Sequence, residues 1–302
     1  MAVAAAVCLV AACGSTPRPA VQEPAASPTV VADADGTVVA PPATTAPPTT
    51  AAAATPASAT PPPTAAPSGW VLGATPLPLG PDGTPKVLPT PAALRDRRLP
   101  TVDHLPPPAA GAPYASTATT IDAALAARMG STWQPGCPVG LSELRYLTLS
   151  FWGFDDRPHT GELVVNASVA DRVRTVFGRL FAARFPLEDV RIVEPADLNE
   201  VPTGDGNTSA AFVCRPVRGS ASTFSAHAYG LAVDINPFQN PYSKGARVLP
   251  ELAGAYLDRA TRRPGMISKG DVVTRAFAEA GWTWGGSWSS PKDLMHFSAN
   301  GR

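Results

Sequence analysis

Apolar positions fall at regular intervals only from about residue 114 onward. Residues 120–128 predict a short helix, and Leu144 to Phe151, rich in Tyr, Leu and Thr, predicts a strand. The clearest helical period follows. Val169, Val173, Val176, Phe177, Leu180 and Phe181 recur at helical spacing, with Ser168 as the expected N-cap and Asp171 three residues on. Val190–Val193 and Leu231–Ile235 predict strands, Asp271–Ala280 predicts a second helix stopped by Gly281, and a last strand is expected near Leu294–Ser298. Helices and strands interspersed without regular βαβ units predict the α+β class with an antiparallel sheet.

Composition explains why the pattern starts late. Of the 36 prolines among 302 residues, 24 precede residue 114. A Pro/Ala/Thr-rich stretch with few aromatics cannot bury enough surface to fold. Residues 14–68 are therefore expected to be a solvated, disordered tether, reaching at most ~170 Å in polyproline II form. Residues 69–113 differ, because Trp70, Val71, Leu72, Leu77, Leu79, Val87 and Leu88 lie among the prolines. They are expected to form an extended arm wrapping the surface of a domain at 114–302, which is large enough for one real core. The 24 basic and 24 acidic residues cancel, which removes the electrostatic basis for non-specific nucleic-acid binding.

Met1 to Ala12 is apolar but too short to span a bilayer. Val10-Ala11-Ala12-Cys13 resembles the lipobox of bacterial lipoproteins, so residues 1–13 are expected to be a signal whose Cys13 takes the lipid, although no Lys or Arg precedes the apolar run. That implies an extracytoplasmic protein anchored to a bacterial membrane and facing the cell wall. Two cysteines then remain, Cys137 and Cys214. In an oxidising compartment they are expected to pair, a bridge worth ~3 to 4 kcal/mol; two buried thiols or a zinc site are the alternatives.

Only four His occur, and two sit in unusual surroundings: Ser225-Ala226-His227-Ala228-Tyr229-Gly230-Leu231-Ala232-Val233-Asp234 and Asp293-Leu294-Met295-His296-Phe297. A catalytic zinc takes three protein ligands and keeps an open position. His227, Asp234 and His296 would supply two imidazoles and a carboxylate, and Asp293 would serve as general base. The competing reading is a buried His–Asp pair that only holds a loop. His104, in the Pro-rich arm, is expected to face solvent. His159 is expected in a loop, with a structural or substrate-rim role.

Ser225-x-His227-x-x-Gly230-x-Ala232-x-Asp234, with Gly281-Trp282-x-Trp284-Gly285-Gly286-x-Trp288 leading to Asp293-x-x-His296-Phe297, resembles the D-alanyl-D-alanine carboxypeptidase family of zinc peptidases. It is closest to the VanY-like group, which includes L-alanyl-D-glutamate endopeptidases. Further segments look similar: Gly161-Glu162-Leu163-Val164-Val165-Asn166, Asn207-Thr208-Ser209-Ala210, Phe212-x-Cys214-Arg215 and Asp234-Ile235-Asn236-Pro237. The departures are Ser287 and Ser298, where relatives usually carry Asp and Glu.

The resemblance implies a small α+β peptidase fold, hedgehog-like, with a central antiparallel sheet flanked by helices. It implies one Zn2+ per chain on His227, Asp234 and His296, with Asp293 as acid/base. Arg215 is the candidate donor to the oxyanion or to a substrate carboxylate, its alternative being an ion pair beside the disulfide. Ser225 and Trp288 are the candidate substrate contacts, while Trp282 and Trp284 are expected to pack the core. The implied activity is hydrolysis of peptidoglycan stem peptides, of the D-alanyl-D-alanine carboxypeptidase type. The alternatives are an L-alanyl-D-glutamate endopeptidase and a non-catalytic, zinc-stabilised wall-binding lipoprotein. No protein partner is implied.

Overall fold

The computed structural model describes residues 70–217, 220 and 223–301. The tether and Cys13 lie outside them. The described elements in chain order are β1 (Ser116–Thr120), α1 (Ala123–Met129), β2 (Leu144–Trp152), β3 (Pro158–Asn166), α2 (Ala170–Ala182), β4 (Asp189–Val190), α3 (Pro195–Asn199), β5 (Thr208–Ser209), β6 (Ala232–Asp234), β7 (Tyr242–Lys244), β8 (Arg247–Leu249), α4 (Val272–Glu279), β9 (Thr283–Trp284), β10 (Lys292–Asp293) and β11 (His296–Ser298). Helix and sheet are mixed, as α+β requires. Instead of one central sheet there are three small antiparallel sheets, β1-β2-β3, β10-β7-β8 and β6-β11-β9, and a parallel pair β4-β5.

The longest pairing is β2 with β3, nine residues each, running in register from Leu144 opposite Asn166 to Trp152 opposite Pro158. One face of this ribbon, with Leu147, Leu149, Phe151, Leu163 and Val165, packs on Val173, Val176, Phe177 and Leu180 of α2 and on Val273 and Phe277 of α4. The alternation of strand side chains delivers those residues to one side, and the helical period of α2 meets them with one stripe. The other face carries Leu144 and Val164 into a second cluster with Met129, Val139, Ile192 and Phe212.

Two expectations need correction. Ser168 does not cap α2: the Asn166 Oδ1 accepts from Ser168 N at 3.0 Å and from its hydroxyl at 2.8 Å, and the N-cap position falls to Val169, which makes no side-chain cap bond. His159 is not in a loop. It lies in β3, 1% exposed, with Nδ1 2.8 Å from Asp103 Oδ1 and Nε2 3.0 Å from Asp155 Oδ1, which is a structural clasp between the arm and the β2–β3 ribbon. His104 is exposed and reaches Asp189 Oδ1 at 3.3 Å.

Residues 70–113 lie along the folded part and complete a third cluster. Leu77 and Leu94 are buried with Phe238, Leu252, Ala253, Tyr256 and Met266, flanked by Trp70, Leu88 and Leu99. Arg97 pins the arm: its Nε donates to Glu188 Oε2 at 2.7 Å, Nη2 to Glu188 Oε1 at 2.5 Å and Nη1 to the Asp205 carbonyl at 2.6 Å. Its guanidinium also stacks 4.5 Å from the Phe238 ring centre. A bidentate, fully bonded Arg–carboxylate pair is the form in which a buried charge is tolerated. Cys137 and Cys214 are disulfide-bonded with Cα atoms 5.8 Å apart. No described helix is long and apolar enough to cross a membrane.

Candidate metal centre

His227 sits on a one-turn 3-10 segment, Ala226–Tyr229, whose ends explain its sequence. Ser225 is the N-cap and its Oγ accepts from His227 N at 3.4 Å. Gly230 ends the turn in the left-handed region at φ +65°, and a Cβ there would stand 2.5 Å from Asn166 N. Only glycine allows both the conformation and that approach. Asn166, the last residue of β3, fastens the turn: its N–H donates to the Gly230 carbonyl at 2.8 Å and its Nδ2 to the Tyr229 carbonyl at 3.1 Å.

The other two residues are set by strand register. β6 and β11 pair antiparallel with His296 directly opposite Asp234. Opposed residues in such a pair stand on the same face, a few ångströms apart. Segment 210–211 runs along the free side of β6, with Ala210 and Asp234 exchanging backbone bonds at 2.9 and 3.2 Å. This brings the Ala211 carbonyl to His227 Nδ1 at 2.6 Å. A carbonyl only accepts, so Nδ1 carries the proton and the Nε2 lone pair is left for another partner.

The three side chains converge. His227 Nε2 is 3.2 Å from His296 Nδ1 and 3.3 Å from Asp234 Oδ2, and His296 Nδ1 is 3.1 Å from Asp234 Oδ1. Burial alone would raise the Asp234 carboxyl, but the two imidazoles outweigh it and hold it well below the usual carboxylate range. The donor set fits zinc: bonds of about 2.0–2.1 Å at tetrahedral angles separate ligands by about 3.3 Å. Both His rings are buried, 5% and 6% exposed, and a carbonyl orients one of them from behind, the usual support of a metal-bound imidazole.

Asp293 stands beside this cluster on β10. Its Oδ1 is buried without a hydrogen-bond partner among the described residues. Burial, and then the Asp234 charge, push it up to about 7, while His296 and Arg215 pull the other way. A carboxyl with a value near neutrality beside a metal set can take up and give back a proton. The Trp288 ring lies 5.5 Å from the His296 ring, forming part of the wall. Arg215 follows the disulfide directly and is exposed, its Nη1 3.4 Å from the Pro216 carbonyl, and its charge is felt at Asp293. Trp282 packs on Phe277 in the core, and the Trp284 Nε1 donates to the Leu294 carbonyl at 2.8 Å.

Three contributors are not singled out by residue type or spacing: Asn166, the Ala211 carbonyl and Gly285, whose backbone packs directly against Asp293. Asn166 closes a segment that resembles the family, and Gly285 belongs to a Gly-Gly pair, a signal of close backbone approach. A backbone carbonyl leaves no signal in the sequence.

No curated protein and no solved structure matches the chain. A family model described as D-alanyl-D-alanine carboxypeptidase matches residues 218–299, a stretch that holds His227, Asp234, Asp293 and His296 and begins just after Arg215. The part of the chain that builds the His–Asp–His cluster is therefore similar to the D-alanyl-D-alanine carboxypeptidase family.

Proposed function

We propose that this chain is a zinc-dependent peptidase that hydrolyses peptidoglycan stem peptides, of the D-alanyl-D-alanine carboxypeptidase type. The observation that carries the reading is the convergence of His227 Nε2, His296 Nδ1 and the Asp234 carboxylate to 3.1–3.3 Å of one another, next to the unpartnered oxygen of Asp293. Zinc bound there would polarise a scissile carbonyl and lower the pKa of a water toward about 7. Asp293 Oδ1 takes the proton of the attacking water and returns it to the leaving amine nitrogen. Ala211 keeps His227 in the tautomer that offers Nε2. Trp288 limits the open side of His296, and Arg215 supplies N–H donors to a substrate oxygen. The lipobox-like Cys13 supports an extracytoplasmic location with the peptidase held to the membrane by lipid, and the paired cysteines suit that oxidising side.

An L-alanyl-D-glutamate endopeptidase would use the same residues. Digestion of defined muropeptides followed by product masses separates the cases. Loss of a single D-Ala is the expected result, a split between L-Ala and D-Glu identifies the endopeptidase, and no product in the presence of zinc overturns the peptidase reading in favour of a wall-binding module.

A further inference from the structure

β7 and β10 pair antiparallel with Asp293 opposite Tyr242. Directly opposed side chains share a sheet face, and so does the residue two positions along a strand. Lys244 is therefore on the face of Tyr242 and Asp293. Across the β7–β8 pair, Leu249 stands opposite Tyr242 and Arg247 opposite Lys244. The face that carries Asp293 thus continues through Tyr242 and Leu249 to two cations.

That strip is one wall of a groove of about 1010 Å³. The other wall is a turn of the arm, closed by Gly80 N donating to the Thr84 carbonyl at 2.7 Å and Lys86 N donating to the Pro78 carbonyl at 2.9 Å. Lys86 is the third cation on the groove. Neither Lys86, Lys244 nor Arg247 makes a side-chain hydrogen bond or ion pair with any described residue, although the Arg247 charge is felt at Asp82. The two carboxylates of the groove are already engaged. Asp82 Oδ1 accepts from Thr84 N at 3.1 Å and from its hydroxyl at 2.7 Å, and Glu251 has an interaction of its own. Three cations without ion-pair partners among the described residues, gathered along a groove lined by Tyr242, the residue opposite Asp293, offer charge to something the protein does not supply.

We propose that the groove between the Asp82–Val87 turn and the β7–β8 hairpin binds an extended peptide bearing carboxylates, and that Lys86, Lys244 and Arg247 select its acidic form over its amidated form. The place of this groove in catalysis rests on the peptidase reading; its binding chemistry does not. A strand rises about 3.3 Å per residue, so Lys244 lies about two residues of extended peptide beyond Tyr242. Dipeptides fall short of it.

The test is calorimetric titration of the Asp293→Asn protein with a stem pentapeptide carrying free side-chain carboxylates and with its amidated counterpart. The free-acid peptide is expected to bind up to about tenfold tighter, the sum of a few exposed charge pairs. The difference should vanish in the Lys86→Ala/Lys244→Ala/Arg247→Ala variant and shrink with added salt, and Lys244→Glu should favour the amidated peptide. Equal binding of both peptides, binding of neither, or a preference that survives the triple substitution overturns the proposal. If the acidic peptide binds selectively but wild type cleaves neither, the groove stands and the peptidase reading fails. If wild type cleaves both with equal KM, the peptidase reading stands and the groove's selectivity fails.

Discussion

Gly285 and Asp293 touch so closely that no side chain fits between them: a Cβ on Gly285 would stand 2.7 Å from the Asp293 carbonyl oxygen and 2.9 Å from the Asp293 Cβ. Backbone cannot yield to such a contact as a flexible side chain can, so Gly285→Ala must move β10. Acid–base catalysis is worth about 10²–10⁴-fold, and a displaced Asp293 is expected to forfeit about tenfold or more of kcat/KM. Zinc content should stay near one per chain, because the three ligands lie on other elements, the Ala226–Tyr229 turn, β6 and β11. Steady-state kinetics with metal analysis checks both, and an unchanged kcat/KM contradicts the role given to Asp293.

Asp293 also predicts a pH effect on the metal-free fold. Its folded value is raised to about 7, whereas an unfolded carboxyl titrates near 3.9. A carboxyl that holds its proton more tightly when folded makes the fold less stable as pH rises from about 4 to about 7. In chelator, Asp293→Asn should therefore match wild type in thermal midpoint near pH 4 and exceed it at pH 8. The same variant, zinc-loaded, should lose about 10²–10⁴ in kcat. Identical midpoints across the range would show that Asp293 is not held neutral by burial.

Arg97 is 4% exposed and is bonded through three nitrogens to Glu188 and the Asp205 carbonyl. Arg97→Ala leaves the Glu188 carboxylate buried without its cation, which costs about 3–5 kcal/mol. The expected outcome is a lower denaturation midpoint together with faster proteolytic cleavage in residues 70–113. A stability loss below about 1 kcal/mol would place the arm outside the cooperative fold.

The Cys137–Cys214 bridge joins residues 77 apart. Replacing both cysteines by Ser is expected to cost about 3–4 kcal/mol through the freed unfolded chain. Denaturant unfolding of the double variant, and of wild type with and without reductant, measures it. Free thiols on both cysteines of the purified, unreduced protein would contradict the bridge.

What the sequence made legible follows the range of the interactions concerned. The α2 helix was readable because its apolar period is local, but its cap was not, since Asn166 captures the Ser168 N–H and hydroxyl first. β3 was obscured by Pro158 and Gly161, which punctuate a strand that pairs along its whole length with β2. His227, Asp234 and His296 stood out as residue types in unusual surroundings. Their convergence depends on β6 pairing with β11, sixty-two residues apart at Asp234 and His296, which no local pattern encodes. In the sequence Arg97 is one charge in the run Arg95-Asp96-Arg97-Arg98, and only its pairing with Glu188, 91 residues on, distinguishes it as a buried residue.

The metal centre is tested most directly by counting zinc per chain in purified protein, wild type beside His227→Ala and Asp234→Asn, each checked for folding by circular dichroism. The expected result is one zinc per wild-type chain and a loss to well below one in both variants with the fold retained. Wild type without zinc after incubation with it, or variants that keep the full complement, would contradict a metal held by His227, Asp234 and His296.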